Sequence, residues 1–338
     1  VTSSHRRFQV IAALLAVWVL WGSTFLGIRV MVGAAPPLFA AGVRFTAAGA
    51  ILLTAVAWAA RRRNKYGVRK QHGVRNEHGV RERLRGRAGR FALLGVLHFL
   101  CANGLVSVAE QRLPSAAAGV CFATVPLWTL VLRAATGGRP TTADLAVVAC
   151  GLGGVALLLG FQPGPLLPSL QVLGAAAVWA LAGHLAARPD RSAGPPAGPA
   201  LSSAVQMVSG GLALLAASAV GGEWARIRPE ALTSVSFWLA GAHLVLLGSL
   251  VGFWAYIWLV TKVDQRLAGT YAYVNPVVAV LLGWLLLDEH LPTGALLGTA
   301  LVTAAVAWTV LSQGTHRTRP PADTPPPIPL TQTTKANT

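Results

Sequence analysis

"AAGVCFATVPLWTLVL", residues 117–132, returns further along the chain as "LAGTYAYVNPVVAVLL", residues 267–282. Ala118, Gly119, Pro126 and Leu132 recur as Ala268, Gly269, Pro276 and Leu282, and the apolar Leu130 is matched by Val280. Neither copy holds a charged residue, and each carries one Pro inside an apolar run. Two related halves are therefore expected, and their orientation decides the fold.

Working outward, the charges mark the ends of the apolar runs. Of the 338 residues 54% are hydrophobic and only 12% charged, about half the roughly 25% charge of a soluble domain. Uncharged runs cover Phe8–Ile28, Phe91–Ala109, Leu113–Leu132, Leu145–Ala187 (broken by the turn-forming "FQPGP" at 161–165), Ser192–Gly222, Ala231–Thr261, Leu267–Leu287 and Leu291–His316. Pro36–Ala60 is interrupted by Arg44 alone. About 20 apolar residues at 1.5 Å rise cross a ~30 Å hydrocarbon core. The expectation is an all-α integral membrane protein with ten transmembrane helices. Because five is odd, the second half enters the membrane the other way up, which makes an inverted 5+5 repeat. The halves are residues 8–160 and 161–314, flanked by a cytoplasmic N-terminus at 1–7 and a Pro/Thr-rich tail at 315–338 expected to be disordered.

Lys and Arg orient the chain. With the N-terminus inside, 23 of the 28 basic residues fall in cytoplasmic segments and 3 in outer loops, while Arg29 and Arg44 lie within spans. The opposite topology inverts that split, so both termini are expected in the cytoplasm. Arg6-Arg7 before an apolar run resembles a signal peptide, but further spans follow at once and a small-residue cleavage motif is lacking.

The cytoplasmic loop 61–90 contains "GVRKQHGVRNEHGVRERLRGR", residues 67–87, with Gly-Val-Arg three times. It reads as a topology anchor resting on anionic lipid headgroups. A nucleic-acid role needs aromatic rings to stack bases, and only Tyr66 is near. His72 and His78 are poorly spaced for a metal, with no Cys beside them. Cys101, Cys121 and Cys150 all sit in spans and suggest small apolar packing rather than a disulfide or metal framework.

Chemistry has few carriers here. Phosphate-binding loops, zinc-protease motifs and nucleophile elbows are all absent, so neither an enzyme nor a cofactor is expected. Arg44, about 12 Å into its span, costs on the order of 2.5 kcal/mol or more unless paired or hydrated. Two readings fit it: a contact for a substrate carboxylate, or a structural Arg on kinked-helix carbonyls. Arg29 is near enough to the outer end to snorkel. His98 and Asn103 lie near mid-depth, five apart and so not on one helical face. Tyr271, Tyr273 and Asn275 precede Pro276, offering flat walls and one amide. Trp21, Trp128, Trp179, Trp254, Trp258 and Trp284 are spread through the spans, while Glu110, Asp288 and Glu289 read as solvated rim. Pro126 and Pro276 should kink or open their helices, as hinges or as static bends. Gly248-x-x-x-Gly252, Gly294-x-x-x-Gly298 and the series Gly42, Thr46, Ala50 offer close-approach faces.

"LWGSTFLGIRV" (20–30), "PPLFAAGVRF" (36–45), "AEQRLPSAAAGVCFATVPLWTLVL" (109–132) and "YAYVNPVVAVLLGWLLLDEHL" (271–291) together resemble the two EamA domains of the drug/metabolite transporter superfamily. The likeness runs over roughly residues 8–312 and is nearest to the ten-helix bacterial inner-membrane exporters. It implies a central cavity, with Trp21, Ser23, Thr24, Arg44, Asn103 and Asn275-Pro276 around it, and a small-molecule substrate such as an amino acid, amine, sugar or toxic metabolite. The basic loop is longer than the family's usual one. Span 1 lacks the acidic residue that small multidrug relatives use, which speaks against proton antiport through a membrane carboxylate. Two other classes compete with a carrier: a phospholipid scramblase, and a membrane-anchored binding protein acting through the basic loop. Deleting residues 64–89 separates the last of these. Transport is expected to persist at near wild-type rate, whereas a loop-borne binding function would vanish in a pull-down.

Overall fold

The computed structural model describes residues 3–65, 80–113, 115–158, 165–189, 197–227, 229–287, 294, 297–298, 300–305 and 307–308. Every regular element among them is helical. They are α1 (Ser3–Gly22), α2 (Thr24–Ala34), α3 (Pro37–Lys65), α4 (Val80–Leu84), α5 (Ala88–Gly95), α6 (Gly104–Ala109), α7 (Ser115–Phe122) and α8 (Val125–Ala135). They continue with α9 (Thr142–Leu158), α10 (Leu166–Ala187), α11 (Pro199–Val220), α12 (Pro229–Thr233), α13 (Val235–His243), α14 (Trp254–Lys262), α15 (Gln265–Ala268) and α16 (Tyr271–Leu287). Two π-helical stretches, Val96–Asn103 and Leu244–Phe253, join α5 to α6 and α13 to α14 without a loop.

Six of the continuous segments are long and apolar enough to cross a bilayer: Arg7–Ala34, Pro37–Arg62, Ala88–Ala109, Leu166–Ala187, Pro199–Val220 and Val235–Lys262. Val125–Ala135 and Thr142–Gly154 are shorter apolar helices. A chain in which every backbone group of several such segments is satisfied within its own helix is a multi-pass membrane protein. Its outward side chains agree, since Ile11, Leu15, Val19, Ile51, Leu239 and Leu285 are exposed, as expected where lipid rather than water is the neighbour. The middle of loop 61–90 (residues 66–79), the tail, Asp288, Glu289 and the side chain of Trp284 lie outside the described residues.

Local breaks position the interior. Ser23 separates α1 from α2, and its hydroxyl donates to the Leu20 carbonyl at 2.8 Å. Thr124 separates α7 from α8 in the same way, donating to the Cys121 carbonyl at 2.7 Å. Such back-bonding competes with the helix ladder and bends it. The helix thus opens just ahead of Pro126, which stands in the first turn of α8, where its missing N–H leaves no bond unmade. Pro276 does lie inside its helix, α16.

The tightest helix pair is α3 against α11, and small residues make it possible. A Cβ on Gly42 would meet Leu215 Cγ at 2.8 Å, and one on Gly49 would meet the Val208 backbone nitrogen at 2.7 Å. With no hydrophobic drive between helices in lipid, this backbone approach and the packing it allows hold the pair together. Gly49→Leu is accordingly expected to destabilise the fold by about 1–3 kcal/mol. Gly33→Ala, at a glycine whose Cβ would meet nothing within 4 Å, should leave the thermal midpoint in detergent unchanged.

Candidate functional site

Between α2, α3, α10 and the two π-helical stretches lies an open-mouthed cavity, with about 550 Å³ of empty space when its opening is counted. Its walls are mostly aromatic and aliphatic: Trp21, Phe25, Phe45, Phe99, Trp179 and Phe253, with Ile28, Val106 and Phe122 beside them. The polar atoms come from Thr24, Arg44, Asn103 and Asn275. That composition, apolar walls with a few placed polar groups, is what orients an amphipathic small molecule.

Arg44 is the charge of this cavity. It is 6% exposed and sits on α3 facing the π-helical stretch Leu244–Phe253. Its Nε donates to Ser249 Oγ at 3.0 Å, and its guanidinium carbon stands 4.4 Å from the centre of the Phe45 ring. The guanidinium has five N–H donors, so this bond leaves both Nη groups for the cavity. Gly248 gives it room. A Cβ there would come within 2.8 Å of Thr24 Cγ2 and 3.2 Å of Arg44 Nη2. The Gly248 carbonyl in turn accepts from Trp21 Nε1 at 3.0 Å, fixing the indole in the cavity wall.

The other polar liners are tied to backbone. Asn103 Nδ2 donates to the His98 carbonyl at 3.0 Å, a reach of five residues that suits a π-helical turn. Asn275, with its amide assigned by its surroundings, donates to the carbonyls of Tyr271 at 3.0 Å and Trp18 at 3.1 Å. It thereby joins α16 to α1. Thr24 Oγ1 donates to the Trp21 carbonyl at 2.7 Å.

Beneath the cavity the rings close up. Trp21 has its centre 5.4 Å from Trp179, 5.0 Å from Tyr256 and 5.1 Å from Tyr271, mostly edge to face. Edge-to-face pairs at such separations are favoured by the ring quadrupoles. Against this layer lies a second, smaller cavity, with about 250 Å³ of empty space when its opening is counted, lined by Val125, Thr129, Gly183, Val260 and Gly269 among others. Trp179 borders both cavities, while Tyr256 and Tyr271 border the second. The aromatic layer is thus a septum between the two spaces, with Trp179 in the wall of both.

Of the residues singled out from sequence, Trp21, Thr24, Arg44, Asn103 and Asn275 meet in the first cavity. Tyr271 lies in the septum. Tyr273 packs with Ala123 and Val302. Ser23 is turned towards His243, with Ser23 Oγ and His243 Nε2 3.0 Å apart. His98 is fully buried behind the wall, its Nδ1 3.0 Å from Gln206 Oε1 and its ring 4.7 Å from Trp179. Pro126 and Pro276 flank the site, and the Cγ of Pro276 lies 3.9 Å from where a Gly119 Cβ would stand. The π-helical turn brings the Asn103 amide to the His98 backbone carbonyl, while the two side chains face different surroundings, Asn103 the cavity and His98 the Gln206 amide.

Two further side chains carry added roles. Arg29 is exposed, and its Nη1 donates to the carbonyls of Glu110 at 2.7 Å and Leu113 at 3.3 Å, capping the open end of α6. Glu110, one residue beyond the span Ala88–Ala109, is not a solvated rim. It is 0% exposed, and neither carboxylate oxygen has a hydrogen-bond partner. Burial pushes its carboxyl well above the usual carboxylate range, and the charges of Arg29 and Arg44 pull it partly back. Phe25, Phe45, Phe99, Phe122 and Phe253 were missed in the sequence because an apolar ring in a span carries no local sign of facing a cavity. No group of three metal-ligating side chains occurs among the described residues.

A two-domain transporter of small solutes is the class that this bundle and cavity define. Residues 8–160 and 166–311 each match the EamA-like transporter family, and the chain belongs to that family. It is a membrane transporter and not an enzyme. Among curated proteins it is 35% identical over 312 residues to the uncharacterized inner membrane transporter YedA of Escherichia coli strain K12, covering 91% of this chain and 93% of that one. The YedA proteins of Escherichia coli O6:H1 and O157:H7 match at the same level. A crystal structure at 20% identity shares the fold, with a TM-score of 0.65 over 93% of this chain and 100% of that one.

Because Ser249 supplies the hydrogen bond that holds the buried guanidinium, Ser249→Ala is expected to cost about 1.5–3 kcal/mol. That loss should appear as a lower thermal midpoint in detergent, and Ser249→Thr, which keeps the hydroxyl, should recover most of it.

Proposed function

We propose that the protein is an inner-membrane exporter of amino-acid-like or aromatic metabolites, working by alternating access of two inverted five-helix halves, residues 8–160 and 161–314, with both termini in the cytoplasm. The observation that carries this reading is a lone guanidinium, Arg44, in a cavity walled mostly by aromatic rings. Such a pairing suits a solute with one anionic group and one flat apolar part. Arg44 neutralises the carboxylate, Asn103 and Asn275 orient polar groups, and Trp21, Phe25 and Phe99 hold the ring. A guanidinium is the residue of choice for a carboxylate, because its planar fork matches both oxygens.

Two features support the inverted halves. π-helical stretches occur at Val96–Asn103 and at Leu244–Phe253, the third span of the first half and the third of the second. Pro126 and Pro276, paired by the sequence repeat, each follow a cavity-lining residue, Val125 and Asn275. In the state described, the larger cavity lies on one side of the Trp21–Trp179–Tyr256–Tyr271 layer and the smaller on the other. Movement of the halves about the Pro126 and Pro276 regions would part these rings from one side at a time.

The test is counterflow in proteoliposomes with labelled amino acids, amines and sugars. Uptake of an anionic or zwitterionic aromatic solute, competed by its unlabelled form, is expected from the wild type. Arg44→Ala should lose at least about tenfold, the equivalent of one charge-assisted hydrogen bond, and Arg44→Lys should recover part. Equal exchange by Arg44→Ala and wild type would remove Arg44 from the site. Movement of fluorescent phospholipid in place of solutes would favour a scramblase.

A further inference from the structure

The cavity accounts for Arg44, but nothing in solute binding accounts for Glu110. A carboxyl side chain stands at the end of α6, 0% exposed, with both oxygens unpartnered. Leaving an ionised carboxylate in that condition is among the costliest arrangements a protein interior offers, and the ordinary relief is to bind a proton. Its neighbours would be met just as well by a Gln or Leu. What distinguishes Glu from these is that it titrates.

The charged groups around it are few. α6 packs against α3, α10 and the π-helical stretch Val96–Asn103. Arg44 on α3 and Arg29 on α2 are the two cations that act on Glu110. The facing end of α10, residues 166–176, has no titratable side chain. On the π-helical stretch, His98 is bound to Gln206 and Cys101 is partly exposed. α7 offers only Cys121, and the turn that follows α6 adds Arg112, which is exposed. His243 on α13 lies within electrostatic reach of Arg44 and beside Ser23. The other buried carboxylate towards this end, Glu223, is already satisfied, accepting from the Phe39 backbone N–H at 2.9 Å and the Ser218 hydroxyl at 2.9 Å. Glu110 has no such partners.

We propose that Glu110 is a proton-binding site linked to the cavity through Arg44, its occupancy setting the net positive charge that Arg44 and Arg29 present to a substrate. The step is a simple one: a proton from the aqueous phase joins one carboxylate oxygen, and the carboxylic acid no longer competes for the guanidinium. An anion then bound at Arg44 weakens the pull of that cation on Glu110 and adds negative charge nearby. Both effects raise the proton affinity of Glu110. By reciprocity, the proton strengthens anion binding by the same factor. Proton and anion therefore bind together. The proton-binding part stands without the transport reading; the role as a coupling site rests on it.

The test uses the purified full-length chain in liposomes and needs no substrate. Infrared difference titration from about pH 5 to about pH 9 reads the carbonyl stretch of protonated carboxyl groups. The wild type is expected to keep a protonated band at neutral pH that Glu110→Gln lacks and Glu110→Asp retains. Removing the linked cation in Arg44→Gln should move the band's midpoint upward by about one pH unit, the lower end of what an adjacent opposite charge produces. His243→Gln serves as a control and should shift it less. A spectrum that is the same in wild type and Glu110→Gln overturns the site, and a midpoint unmoved by Arg44→Gln overturns its link to the cavity. Either result can be read even where counterflow finds no substrate, and a failed counterflow leaves the titration intact.

Discussion

A guanidinium taken out of water into a bundle of apolar helices is the constraint on which the rest of this structure depends. The cost, about 2.5 kcal/mol or more at the centre of a span, is tolerable only where the charge meets hydrogen-bond acceptors, ring faces and a space of its own. Each is present around Arg44. Ser249 accepts one bond, Phe45 lies against the cation, and Gly248 keeps the neighbouring helix from closing the gap. The same glycine fixes Trp21 through its carbonyl. One small residue on a π-helical turn therefore sets the cavity's charge, its depth and one of its walls.

The helix irregularities belong to the same economy of position. π-helical stretches occur in two spans that border the cavity, one of them carrying Asn103 and the other facing Arg44, and bends at Ser23 and Thr124 re-aim the segments on either side. Irregular backbone at membrane depth survives only where it borders a cavity or is buried in protein, so these breaks and the cavity explain one another. The aromatic layer formed by Trp21, Trp179, Tyr256 and Tyr271 is then the natural barrier between the two spaces, since it is thick, apolar and made of side chains from several helices.

Much of this was legible in the sequence. Charge placement marked the six long apolar helices, and the rarity of intramembrane cations singled out Arg44, because a charged residue inside an apolar run is a strong local signal. Asn103 and Asn275 were found for the same reason. The phenylalanines of the wall were not, since a ring facing lipid and a ring facing a cavity look alike in a span that is apolar all round. π-helical turns escaped too, as their period differs from 3.6 only over a few residues. Glu110 was misread because its position, at a span end beside Gln111 and Arg112, is that of a solvated loop; its burial arises from tertiary packing, with Arg29 drawn across the end of α6. At Pro126 the helix opens, as its missing N–H requires, with the break falling at Thr124 just ahead of it.

The central claim is that Arg44 reads an anionic group on a solute held by aromatic walls. A matched pair tests it most directly: counterflow of phenylalanine against phenylalaninamide, which share the ring and the amine and differ in the carboxylate. The account predicts exchange of the acid and little or none of the amide, with the difference lost in Arg44→Ala. Equal exchange of both compounds by the wild type would contradict it.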